Sequence, residues 1–192
     1  MEIRKFAQRP QMQAQAQAPA QLPAEQNAGL ETPSPLPEGS VSLLNQRIKD
    51  EYTAHFFYRN AANWCRNKNY KKAAAFFDGE ADSELEHAKG IQEYLVDFNI
   101  QPVIEQTETN KMFTSLVEIV GEAYKMEHGL MTAYNQNSAE LFGSDLTTFD
   151  FLQDYRKKQK DAVVEYSDLL NALQLIDHND GFQILYFEQT YF

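Results

Sequence analysis

A glutamate and a histidine lie three residues apart in the stretch ADSELEHA, which covers residues 81–88. If this stretch is helical, Glu84 and His87 share one face, because residues three apart are neighbours on a helix surface. The other residues of that face are Phe77, Ala81, Ala88, Ile91, Leu95 and Phe98. A carboxylate and an imidazole would therefore point into an apolar core, where such a pair is suited to binding a metal ion.

Four long helices are predicted around this pair. Apolar residues recur every three or four positions in the segments 41–68, 70–98, 112–142 and 146–176. The link NIQPVIEQTETN, residues 99–110, is too long for a tight hairpin and leaves room for a crossover. The sequence therefore predicts an all-α fold, a four-helix bundle with one long crossover between the second and third helices and a short C-terminal fifth helix.

One oxygen-bearing side chain interrupts the apolar face of each predicted helix near its middle. These side chains are Glu51, Glu84, Glu122 and Gln159. On the third helix we place Glu122 on one face with Ile119, Met126 and Leu130. Burying a carboxylate costs several kcal/mol, and the predicted faces hold no Lys or Arg at that depth. The sequence therefore predicts a bound cation, and glutamate oxygens with an imidazole favour iron or manganese.

The first 40 residues are predicted to form a disordered tail, and residues 41–192 to form the folded domain. Six of the seven prolines lie between Pro10 and Pro37. The rest of that stretch is mainly Gln, Ala and small polar residues, so it has little apolar surface to bury.

The overall charge and the cysteine content restrict the partners and the compartment. The net charge of −11 argues against nucleic acid or an anionic membrane as the main partner and suits a protein that attracts cations. Cys65 is the single cysteine, so we expect no intrachain disulfide and a reducing, cytoplasmic location. The sequence has no apolar run long enough to cross a bilayer and no secretory signal at its start.

Over residues 42–188 the sequence resembles the ferritin family, specifically the non-haem ferritins of bacteria and archaea. The resemblance is carried by NQRIKDEYTAHFFY, AANWC, AAAFFDGEADSELEHA, GEAYKMEH and FDFLQDYRKKQ. It implies that Glu51, Glu84 and His87 bind a first iron ion. Glu84 would bridge to a second iron ion, and Glu122 would complete that second site.

Two further positions also match the family. By this resemblance Gln159 corresponds to a Glu or Gln near the iron pair, and Tyr58 corresponds to a tyrosine packed beside it. The resemblance implies a ferroxidase and iron store, which oxidises Fe(II) with dioxygen at a di-iron centre without haem. It further implies a homo-oligomeric cage of twenty-four subunits that holds a ferric mineral, with the tail outside and available to an unknown partner.

Some residues depart from the family pattern. Bacterioferritins and many di-iron enzymes carry a second Glu-x-x-His on the fourth helix, where this sequence has Gln159–Ala162. Ser83 and Lys158 stand at positions that are acidic in the third iron site of many bacterial ferritins. We interpret His55 as a core histidine that is hydrogen-bonded within the bundle, with an extra ligand as the other interpretation. Two alternative functions remain, a catalytically weak structural cage subunit and a di-iron oxidase acting on another substrate.

Overall fold

The computed structural model describes residues 35–192, which form five α-helices. Their bounds are α1 Glu38–Asn67, α2 Lys71–Asp97, α3 Leu116–Phe142, α4 Leu146–Leu173 and α5 Gly181–Tyr191. The all-α class and the short fifth helix are confirmed, although α3 begins four residues later than predicted. Among the helices described, none is long and apolar enough to span a membrane.

The helices pair as two hairpins, α1 with α2 and α3 with α4. The link between the hairpins, residues 98–115, runs back along α1. Near the start of α1 the backbone N–H of Val103 donates to Asn45, and near its end Asn60 donates to the carbonyl of Thr109. The third helix therefore starts where α1 ends and runs parallel to α2, which is the predicted crossover topology.

The apolar core consists of two clusters of buried side chains with a polar layer between them. One cluster includes Ala54, Ala61 and Phe77, and the other includes Ile48 and Leu152. Within α1, Glu51 lies between Ile48 of one cluster and Ala54 of the other. Apolar packing on both sides of this layer lowers the local dielectric constant, so the charges inside it interact strongly.

The folded domain begins earlier than the predicted boundary at residue 41. The first helix starts at Glu38, and Leu36 is only 8% exposed and packs in the second apolar cluster. The hydroxyl of Ser40 donates to Asp145 over 2.7 Å, which ties the start of α1 to the start of α4. The predicted tail therefore ends before Leu36, and the disorder predicted for residues 1–34 lies outside the described residues.

Candidate metal centre

Three of the predicted ligands meet in the polar layer. Possible ligand atoms of Glu51, Glu84 and His87 all lie within 4.8 Å of one another. The Nδ1 atom of His87 is 2.8 Å from Glu84 Oε2 and 3.5 Å from Glu51 Oε2. Both carboxylates are buried, so the structure brings the three side chains together on the inner faces of α1 and α2.

The two carboxylates of this cluster differ in their affinity for protons. Burial, together with the charge of Glu51, raises the pKa of Glu84 well above its usual value. Burial acts against ionisation of Glu51 as well, but the close polar groups of His87 and Glu84 bring the pKa of Glu51 below its usual value. The two carboxyl groups therefore titrate as an interacting pair, and a cation that binds to them competes with protons.

One oxygen of this cluster indicates that the site fits a cation. Glu51 Oε1 accepts a hydrogen bond from Tyr134, whereas Oε2 is buried and has no hydrogen-bond partner among the described residues 35–192. A buried carboxylate oxygen without a donor is costly, and a cation is the partner that would remove that cost. Two carboxylates and one imidazole form a donor set suited to iron.

A third acidic side chain, Glu127 on α3, completes the polar layer. It is fully buried, with Tyr58 donating to its Oε1 atom and Gln159 to its Oε2 atom. Burial raises the pKa of Glu127 to about 7. The two hydrogen bonds act in the opposite direction, because they favour the ionised form, but burial outweighs them. Tyr58 and Gln159 therefore lie in the layer where the sequence placed them, and both of them contact Glu127.

The predicted position of Glu122 in the core is wrong. Its side chain is 33% exposed and forms an ion pair with Lys111 of the link, with Nζ and Oε2 2.9 Å apart. The buried face of α3 consists of Leu116, Ile119, Val120, Ala123, Glu127, Leu130, Tyr134, Ser138 and Leu141. After Ile119 the face therefore continues through residues 123 and 127, and not through 122 and 126.

Glu127 and Tyr134 are the two residues of the polar layer that the sequence interpretation missed. One signal in the sequence could have revealed them. On α1 a glutamate is followed seven residues later by a tyrosine, Glu51 and Tyr58, and α3 repeats that spacing with Glu127 and Tyr134. Residues seven apart lie on nearly the same face of a helix, two turns from each other.

Tyr155 on α4 holds His87 from the opposite side of the cluster. Its ring lies edge-on to the imidazole with centroids 5.6 Å apart, and its hydroxyl donates to the carbonyl of His87. Gly90 makes this approach possible, because a Cβ at that position would stand 2.6 Å from the tyrosine hydroxyl. His55, in contrast, donates to the carbonyl of Ala81 over 2.6 Å, which is the predicted hydrogen bond within the bundle, although its side chain is only partly buried.

A cavity of about 300 Å³ leads to the cluster. It is lined by Glu80, Ser83, Glu84, His87, Lys158, Gln159, Asp161, Ala162 and Glu165. Glu84 and His87 belong both to this cavity and to the buried cluster. The cavity has four acidic side chains and one lysine in its lining, so it offers a small, net acidic approach for a cation.

The crossover bundle and the inward-facing Glu and His side chains define the class of ferritin-like proteins. The family described as the ferritin-like domain matches residues 41–176. The chain therefore belongs to the ferritin family, and the resemblance to non-haem ferritins is confirmed by its relatives.

Two bacterial relatives illustrate the similarity in sequence. The bacterial non-heme ferritin of Campylobacter jejuni is 29% identical over 146 residues, which cover 73% of this chain and 86% of that protein. The bacterial non-heme ferritin of Escherichia coli O6:H1 is 28% identical over 137 residues, which cover 70% and 83% of the two chains.

Two solved structures illustrate the similarity in fold. The open pore ferritin of Archaeoglobus fulgidus superposes with a TM-score of 0.75 at 19% identity, covering 81% of this chain and 97% of that one. The ferritin of Chlorobium tepidum gives a TM-score of 0.71 at 23% identity, covering 80% and 95%.

Proposed function

We propose that this protein stores iron and acts as a ferroxidase, oxidising Fe(II) to Fe(III) with dioxygen at a pair of adjacent iron sites. The observation that carries the proposal is the buried cluster of Glu51, Glu84 and His87, with an unpartnered carboxylate oxygen at its centre. Membership of the ferritin family supports the storage role. The first Fe(II) ion would bind to this cluster, and the second would bind between Glu84 and Glu127.

The side chains of the site would each contribute in a different way. Carboxylate oxygens stabilise the charge that rises as Fe(II) becomes Fe(III). Each ferrous ion gives one electron to dioxygen, which leaves as hydrogen peroxide after taking up two protons. A cation that binds at Glu84 competes with protons for its carboxylate oxygens, so iron binding should release protons inside the site. Gln159 supplies an amide in place of a further carboxylate, which suits iron that passes through to a mineral.

The assembly and the compartment also belong to this proposal. We place the protein in the cytoplasm as a homo-oligomeric cage of twenty-four subunits that holds the mineral and carries no haem. The acidic net charge of −11 supports a protein that concentrates cations.

An anaerobic titration with Fe(II) followed by addition of oxygen tests the proposed function. We expect two Fe(II) ions per subunit to bind first and to be oxidised rapidly, with one dioxygen consumed for each pair. Glu84→Ala and His87→Ala should each abolish the rapid phase while the protein remains helical and assembled. Rapid oxidation in well-assembled variants would contradict the site, and slow oxidation in the wild type would identify a structural cage subunit instead.

A further inference from the structure

The Glu–Tyr spacing shared by α1 and α3 produces two reciprocal hydrogen bonds across the bundle. Tyr58 of α1 donates to Glu127 of α3, and Tyr134 of α3 donates to Glu51 of α1. All four side chains are at most 1% exposed. Each helix therefore provides one acidic side chain to the polar layer and one hydroxyl that holds the acidic side chain of the other helix.

The two halves of this arrangement differ in what remains free on each carboxylate. Glu127 accepts hydrogen bonds on both oxygens, from Tyr58 and from Gln159. Glu51 accepts from Tyr134 on Oε1 only, and its Oε2 atom faces His87 without a hydrogen bond. The Tyr134 hydroxyl therefore selects which oxygen of Glu51 is presented to a cation.

Neighbouring side chains fix the ring of Tyr134. Tyr155 stacks on one face with centroids 5.8 Å apart and planes 22° from parallel. The Arg47 guanidinium carbon lies 5.7 Å from the centroid of the Tyr134 ring. Since both neighbours restrict the ring, its hydroxyl is preorganised toward Glu51, as partners of metal ligands need to be.

We propose that Tyr134 is a positioning residue that makes Glu51 a ligand through a single oxygen, as Tyr58 positions Glu127. This inference rests on the proposed function, because it concerns the same metal site. A carboxylate that is held through one oxygen keeps the other oxygen for the cation and leaves coordination positions open for dioxygen. Without the hydroxyl, Glu51 is free to rotate and to bind the cation through both oxygens.

The test uses Co²⁺ as a spectroscopic probe that oxygen does not readily oxidise in such a site. Full-length assembled wild type, Tyr134→Phe and Tyr58→Phe are titrated with Co²⁺ while visible absorption is recorded. Tyr166→Phe is the matched control, since Tyr166 is equally buried and stacks on Tyr58, but its hydroxyl has no hydrogen-bond partner in the part of the chain that the structure describes. Phenylalanine fills the same space as tyrosine, so circular dichroism should show unchanged helicity in all three variants.

We expect Tyr134→Phe to weaken binding of the first Co²⁺ equivalent by about 10–100-fold, the usual effect of removing a hydrogen bond to a metal ligand. Its absorption should also weaken, because a second carboxylate oxygen raises the coordination number. Tyr58→Phe should act on the second equivalent, and Tyr166→Phe should match the wild type. In a Glu51→Gln background, adding Tyr134→Phe should leave the Co²⁺ spectrum unchanged, because the carboxylate on which it acts is gone.

The outcomes separate this inference from the proposed function. Wild-type affinity and spectrum in Tyr134→Phe would overturn the positioning role alone. The same loss in Tyr166→Phe as in Tyr134→Phe would also overturn it, since the effect would then come from core packing. A wild-type protein that binds no Co²⁺ would contradict the proposed function, and the inference with it.

Discussion

Glu188 on α5 caps the start of α2 by accepting a hydrogen bond from the backbone N–H of Lys72. The same carboxylate oxygen also accepts from the N–H of Ala73. The N···O distances are 2.7 Å for Lys72 and 3.1 Å for Ala73. The residue at the N-cap position itself, Tyr70, provides no side-chain hydrogen bond. A side chain more than 100 residues away in sequence thus satisfies N–H groups that a helix start leaves free.

Replacing Glu188 with alanine should destabilise the bundle by about 1–2 kcal/mol, the usual effect of losing a helix cap. Glu188→Gln should cost less, because its amide oxygen still accepts a hydrogen bond. Denaturant unfolding measures the difference, with Thr190→Ala on the exposed side of α5 as the control. Equal stability of Glu188→Ala and Thr190→Ala would show that the cap contributes nothing.

A comparison of two glutamates on α3 tests which of them belongs to the metal site. Glu127→Gln should lower the rate of Fe(II) oxidation by at least about tenfold, because Glu127 is buried beside Gln159 and Tyr58. Glu122→Gln should leave the rate nearly unchanged, because Glu122 lies in a partly exposed ion pair with Lys111. Stopped-flow oxidation assays on both variants decide the question, and a larger loss from Glu122→Gln would reverse the assignment.

The carboxyl group of Glu80 should make the stability of the metal-free protein depend on pH. Burial, followed by the charges of Glu165 and Glu127, raises its pKa from 4.5 to about 7. Between these values the unfolded chain loses the proton first, so the free energy of unfolding falls as pH rises from about 4.5 to about 7. Above about pH 7, Glu80 is ionised in both the folded and the unfolded protein, so the free energy of unfolding no longer changes with pH through this group.

Glu80→Gln removes the ionisation and should stabilise the metal-free protein at pH 8 by about 1–3 kcal/mol. At pH 4.5 the variant and the wild type should be nearly equal. Thermal unfolding with a chelator present at both pH values provides the measurement. Glu86→Gln serves as the control on the same helix, because Glu86 is exposed and pairs with Lys89, and it should show no such gain at pH 8.

Two truncations test where the domain begins. Removing residues 1–34 should leave stability and iron oxidation unchanged, because the composition of that stretch provides little to bury. Removing residues 1–40 should cost about 2–4 kcal/mol, since it deletes the buried Leu36 and the Ser40–Asp145 hydrogen bond. Ser40→Ala in the full chain should account for about 1 kcal/mol of this. Equal stability of the two truncated proteins would show that the folded domain begins at residue 41, as the sequence predicted.

Periodicity predicted the helices and the inner face of α1 but not the inner face of α3. On α1, apolar residues on both sides of Glu51 leave one consistent face, and the residues on it are buried as predicted except for the partly exposed His55. On α3, the next residue on the same face as Ile119 is either 122 or 123. The first choice places Glu122 on the buried face, and the second places Glu127 there, one turn after residue 123. Lys111, in the link, pairs with Glu122, and such a distant partner leaves no trace in local periodicity.

The division of the bundle into two hairpins has a consequence for the order in which the site forms during folding. All three residues of the Glu51–Glu84–His87 cluster belong to the α1–α2 hairpin, which a ribosome synthesises first and whose contacts are local in sequence. The α3–α4 hairpin carries Glu127 and Gln159. We therefore expect the nascent chain to possess one half of the pocket before the other half exists. Docking of the second hairpin then creates the paired site, so this late step decides when the chain becomes able to process iron.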